Sequence, residues 1–179
     1  MKNLNIVWVI VMVCLVNMSP VLGQSKAKKN KIIADCHTAK AEFIQNDALM
    51  QGLFENAYGY VIFPNVGKGG LGIGAAAGNG AVYERGNIVG MAKLSQLSIG
   101  FQAGGQAYSE VIFFESPKEL DRFKDSRFEF AAQASAVAVT EGASGNVKYA
   151  DGVMVFTMLK GGLMYEASIG GQKFKFNNL

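Results

Sequence analysis

The chain has 179 residues, enough for one domain with a proper core and too few for two comfortable ones. Its formal charge is +3: Lys2, Lys26, Lys28, Lys29 and Lys31 precede Ile32, whereas Ile32 to Leu179 carry 12 basic and 14 acidic side chains. The body is therefore close to neutral, and nucleic acid is not an expected partner.

The first 23 residues read as a secretory leader. Lys2 supplies a positive start, Leu4 to Val16 an apolar run, and Val21-Leu22-Gly23 follows the break at Pro20, with small residues at the minus-three and minus-one positions, so cleavage is expected before Gln24. The mature protein is then exported, to the periplasm or the envelope. A retained anchor is the alternative, because Leu4 to Leu22 is nearly long enough to span a bilayer, although Asn17, Ser19 and Pro20 interrupt its second half. Lipidation at Cys14 is disfavoured by Val13 immediately before it. Loss of the leader leaves Cys36 as the only cysteine, which rules out an intramolecular disulfide in the mature chain.

Residues 24–31 form a basic arm, read either as a solvated run or as a contact with a membrane surface, and residues 32–179 form one domain. Ile32, Cys36, Ala39 and Phe43 recur at helical spacing and predict an amphipathic helix over 31–50, ended by Gly52. Ser116-Pro117-Lys118-Glu119 has a cap serine, a proline at the first helical position and a glutamate at the third, and predicts a second helix over 117–126 with Leu120 and Phe123 facing the core.

Strands are expected at Val61 to Phe63, Ala81 to Tyr83, Val111 to Phe114, Val153 to Met158 and Phe174 to Phe176. They are separated by Gly78-Asn79-Gly80, Arg85-Gly86-Asn87, Ser144-Gly145-Asn146 and Gly170-Gly171. Glycine and asparagine tolerate the positive φ of primed turns, so these separators predict tight hairpins and a mostly antiparallel sheet.

Phe63 to Gly74, FPNVGKGGLGIG, contains the spacing Gly67-x-Gly69-x-x-Gly72 of a dinucleotide loop. Such a loop needs a helix beginning within the glycines, and Ile73, three alanines and Gly78-Asn79-Gly80 leave little room for one. A Walker loop also fails, because Lys68 is followed by Gly69 and not by Ser or Thr. Read as a strand from Lys68 to Ala76, the segment puts Lys68, Gly70, Gly72, Gly74 and Ala76 on one face, which then has almost no side chains. Interior strand glycines cost about 0.5–1 kcal/mol each relative to alanine, so close packing, strong curvature or a ligand chain must offset the seven between Gly67 and Gly80. Ser98 to Tyr108 has the same character, and two glycine-faced strands suggest a strongly curled, barrel-like sheet. Lys160-Gly161-Gly162-Leu163 after Phe156 echoes Lys68-Gly69-Gly70-Leu71 after Phe63. The echo covers about a dozen residues and leaves duplication open.

Gly59 to Gly74, Ser98 to Phe114 and Lys160 to Leu163 together resemble the SYLF domain family over roughly Asp47 to Phe176. The resemblance implies an α+β, non-enzymatic module that binds membrane lipids. Eukaryotic members bind phosphoinositides through an amphipathic N-terminal helix and basic surface residues, and some bind actin filaments. It points to the helix from Lys31 onward and to Lys68 and Lys160, which sit inside the matching motifs. Eukaryotic members act in the cytosol, so the leader aligns this chain with bacterial, exported members and separates it from phosphoinositide and actin specificity.

Catalytic groups are sparse. His37 is the only histidine, and Cys36 beside it points about 100° away around a helix, so the two do not form a dyad. Glu110 and Glu115 flank an apolar strand, and Asp121 and Asp125 lie one turn apart beside Arg122 and Lys124; these read as solvated charges. The expectation is an exported lipid-binding domain without enzymatic activity or cofactor. Its site residues are Lys26, Lys28, Lys29, Lys31, Lys68 and Lys160, with the bare face at Gly70, Gly72 and Gly74, and its partner is an anionic phospholipid and not a nucleotide. An envelope scaffold with a protein partner is the alternative, and an enzyme acting on lipids comes third.

Overall fold

The structure, a computed structural model, describes residues 20–71, 73–99, 104–126, 128–130, 135–160 and 166–179. The chain divides into two compact units at Lys31 and Ile32. Its elements are α1 (Pro20–Asn46), α2 (Met50–Asn56), β1 (Gly59–Leu71), β2 (Ile73–Glu84), β3 (Asn87–Ile99), β4 (Gly104–Phe114), α3 (Pro117–Lys124), β5 (Ser135–Ala138), a 3-10 turn (Ala143–Asn146), β6 (Val153–Leu159), β7 (Glu166–Ser168) and β8 (Lys173–Asn178). The eight strands form one sheet in the order β7-β5-β6-β4-β1-β2-β3-β8. Every pair is antiparallel except β5 with β6, so the sheet is mixed.

The central strands are apolar on both sides because both sides are covered. Along β1, Tyr60 and Ile62 enter a cluster with Cys36, Ala39 and Phe43 of α1 and Met50 and Phe54 of α2. The alternate residues, Val61 and Phe63, enter another with Leu120 and Phe123 of α3, Phe128, Phe130 and Phe174. Cross-strand pairs Ile62 with Val111 and Val61 with Ile112 continue both layers onto β4. Pro64 cannot donate to a ladder, and the register slips at its position against both neighbours. The hydroxyl of Ser109 donates to the Pro64 carbonyl at 2.9 Å and satisfies the group that the bulge frees.

The cap signal at Ser116 is realised. Its Oγ accepts from the Lys118 N–H at 3.3 Å and donates to the Glu119 carboxylate. The Arg85-Gly86 turn between β2 and β3 has φ of 48° and 79°, as a primed hairpin requires. Elsewhere the punctuation misleads. Gly78-Asn79-Gly80 runs inside β2, Ser144-Gly145-Asn146 lies in the 3-10 turn, and Gly52 sits within α2. The bend at Gly170 and Gly171 joins β7 to β8, which are opposite edges of the sheet and not a hairpin. The amphipathic helix begins earlier than expected and takes in the basic arm.

Two expectations about the glycines are corrected. Lys68 to Ala76 is not one extended strand: β1 and β2 are separate antiparallel strands that pair up to Leu71 opposite Ile73. The barrel-like, strongly curled sheet is also not found, for the ladder ends at β7 and β8 without closing. At Gly80 and Gly90 the missing side chain serves close approach instead. A Cβ on Gly80 would lie 2.2 Å from the Ile62 carbonyl oxygen and 2.8 Å from the Phe63 ring, and one on Gly90 would meet the Phe176 ring at 2.2 Å. Neighbouring backbone and aromatic rings occupy the space that side chains would need.

Gly80→Ala is accordingly expected to destabilise the fold by about 1–3 kcal/mol, the usual cost of overpacking. A Cβ on Gly67 would meet nothing within 4 Å, so Gly67→Ala should be neutral or stabilising by up to about 1 kcal/mol. Urea unfolding midpoints of the two variants check both, and equal midpoints would refute the close-approach account.

Candidate functional site

The expected site residues fall into two groups, one in each unit. Lys26, Lys28, Lys29 and Lys31 lie on the first turns of α1, where Lys29 is half-buried and the other three are exposed. At about 100° per residue these four point in different directions around the helix. The segment therefore presents charge on all sides and no single amphipathic face. Further along α1 the apolar stripe is already used: Cys36 and Phe43 are fully buried and Ala39 nearly so against the sheet, with Ile32 and Ile33 half-buried beside them. Phe43 is not available for insertion into a bilayer.

In the second unit the register opposes Lys68 to Ala76 and Gly70 to Gly74 across β1 and β2, so these four share one face as expected. Gly72 lies outside the described residues. On its other side Lys68 is paired with Gln106 of β4. The exposed Lys160 follows β6, and its N–H donates to the carbonyl of Ala107 at 2.9 Å. Lys68 and Lys160 thus flank β4 at the glycine-rich end of the sheet, on strands about 10 Å apart. The Lys68 side chain is half-buried with no carboxylate partner among the described residues. Burial lowers its pKa from the ordinary lysine value, which marks it as a cation with room to gain from an anion.

Inward from Lys68 the same face becomes a buried polar cluster that the sequence reading missed. Tyr108, Glu110, Ile112 and Phe114 alternate along β4, and Glu110 is fully buried although it was read as a solvated charge. Its Oε2 accepts from Nε2 of the fully buried Gln172 at 2.9 Å. Thr157 stands directly opposite on β6. Glu110 Oε1, Gln172 Oε1 and Thr157 Oγ1 are buried without hydrogen-bond partners. Only the alternation of β4 could have revealed this, since it puts position 110 on the same side as Ile112 and Phe114.

None of these groups forms a reactive constellation. Burial pushes the Cys36 thiol up to about 12, its Sγ donates to the Ile62 carbonyl at 3.4 Å, and His37 is exposed. Among the described residues no three His, Cys, Asp or Glu side chains converge as metal ligands. Residues 73–84 are an antiparallel strand, not the helix that a dinucleotide fingerprint requires.

Burial raises the Glu110 carboxyl from an ordinary 4.5 to about 7, with the Gln172 hydrogen bond opposing. Below pH 4.5 both folded and unfolded chains hold the proton. Between 4.5 and about 7 only the folded chain does, so stability falls as pH rises through that window. The loss amounts to about 3 kcal/mol. Urea unfolding at pH 5 and pH 8 should show this fall in the wild type and its absence in Glu110→Gln.

Residues 95–178 match the family model described as Ysc84, Las17-binding protein actin regulator. Beta cell expansion factor A from Aeromonas veronii is 27% identical over 161 residues, which cover 88% of this chain and 61% of that protein. The chain therefore spans less than two thirds of the relative it matches. The family model takes in β4 with Glu110, the motif at Lys160 and the Gln172 link, while the glycine motif at 59–74 precedes it. The match over residues 95–178 is to the Ysc84 (SYLF) family that the chain's motifs at Ser98 to Phe114 and Lys160 to Leu163 resemble.

Proposed function

We propose that the protein is an exported, non-enzymatic domain that binds anionic phospholipid surfaces, first through the basic turns of α1 and then through Lys68 and Lys160. The observation that carries this reading is the cluster of four lysines within six residues of one helical segment, with no carboxylate before Asp35. Each basic residue near an anionic surface contributes about 1 kcal/mol, so the four together give roughly 4 kcal/mol, or millimolar attachment. That alone is marginal. Because the two lysine groups belong to one chain, a contact at Lys68 and Lys160 becomes intramolecular once the arm has engaged, which raises the overall affinity without a larger patch. Charge spread all round the helix suits a diffuse layer of headgroups better than insertion, and no described helix is long and apolar enough to cross a membrane.

The matched family is known by Las17 binding and actin regulation, which favours a second reading: a scaffold whose partner is a protein. The exposed Leu97 on β3, 77% accessible, and Leu49, 54% accessible, are the apolar contacts such a partner would find.

Sedimentation with vesicles of phosphatidylglycerol and of phosphatidylcholine separates the two. The wild type should pellet with the anionic vesicles at low salt and be released as salt rises. Replacing Lys26, Lys28, Lys29 and Lys31 with alanine should weaken binding at least tenfold and flatten the salt dependence. Failure of the wild type to pellet with either vesicle would leave the scaffold reading standing.

A further inference from the structure

Among the described residues the short strand β5 pairs with β6 at Val137 with Phe156 and Ala138 with Thr157, and Val153 to Val155 lie just before those pairs on β6. A cavity of about 400 Å³ opens there, within the size range of small-molecule sites. Its walls are apolar, from Phe128, Phe130, Val153, Val155 and Ile169, and its rim is charged, from Arg122 and Lys148 with Glu129 and Asp151.

The rim is biased towards anions. Glu129 is engaged by Lys173 at 3.8 Å. The Arg122 guanidinium, one of the lining groups, lies 5.7 Å from the Phe128 ring centroid. Lys148 is exposed and has no carboxylate within 4.0 Å among the described residues. With Glu129 paired to Lys173, Arg122 and Lys148 are left against Asp151 alone. An apolar slot with a cationic lip fits a molecule with one hydrocarbon chain and one anionic head.

We infer that this cavity binds a single-chain anionic amphiphile, its chain against Phe130, Val155 and Ile169 and its head at Arg122 and Lys148. The site shares no residue with the lysine groups of the surface reading and rests on that reading only for the membrane origin of the ligand. It would let the domain hold one extracted lipid molecule as well as touch a bilayer.

Isothermal titration of the protein with dodecanoate, kept below its micellar concentration so that no surface is present, tests it. One saturable site is expected. Lys148→Glu, a surface change that leaves the fold intact, should weaken dodecanoate roughly fivefold and leave dodecanol, which has no charge, unaffected. Val155→Trp should fill the slot and abolish both, with thermal melting as the check on folding. Saturable binding that neither substitution alters, or no saturable binding by the wild type, would overturn the proposal. Should vesicles still pellet such a protein, only the cavity is refuted. Should dodecanoate bind while vesicles do not, the cavity stands and the surface reading falls.

Discussion

A sheet with large apolar side chains on both faces has to be covered twice, and the arrangement of this protein follows from that constraint. Phe63 on one side of β1 and Ile62 on the other are both excluded from water. One side recruits α1 and α2, the other α3 with Phe128, Phe130 and Phe174. Each fully buried side chain of this size contributes about 1.5–3 kcal/mol, more than a helix gains from resting its apolar stripe in a membrane interface that is already partly wet. Phe43 and its neighbours are therefore committed to the core, and what remains of α1 for outside partners is its charge.

The same double coverage explains the glycines and the polar interior. Where rings and carbonyls press onto β2 and β3, only glycine leaves room, as at Gly80 under Ile62 and Gly90 under Phe176. Glu110 is the counter-case: a carboxyl carried into the covered layer by the pleat of β4, with an amide on the β7–β8 connection as its partner. Shut away from solvent, it holds its proton to a higher pH than an exposed carboxyl does. At the surface Glu84 is paired with Lys124 at 2.6 Å, while Lys68 at the sheet's glycine-rich end and Lys148 beside β6 have no carboxylate within 4.0 Å among the described residues.

Local chemistry carried much of the secondary structure. Ser116 to Glu119 marked α3 to within two residues, Arg85-Gly86 marked a hairpin with positive φ, and the five short apolar runs expected as strands lie inside observed ones, whereas Lys68 to Ala76 does not. Three strands went unread for identifiable reasons. β3 alternates lysine, serine and glutamine with apolar residues and lacks the β-branched run that signals a strand, while β5 and β7 are four and three residues long. Gly78-Asn79-Gly80 has turn chemistry yet sits in a strand, because tertiary packing there demands the absence of Cβ and outweighs the local preference.

What the sequence by itself determined were properties set by neighbours in the chain: the caps and turns, the helical period of Ile32 to Phe43, the concentration of charge at 26–31, and motifs similar enough to a family to be matched. What only the tertiary structure decided were properties set by residues far apart. The pairing of β5 with β6 in parallel, the register that opposes Gly70 to Gly74, the burial of Glu110 against Gln172 and the cavity beside β6 all depend on which strands meet. Strand order is a long-range choice made by total burial on two faces, and no window of the sequence contains it.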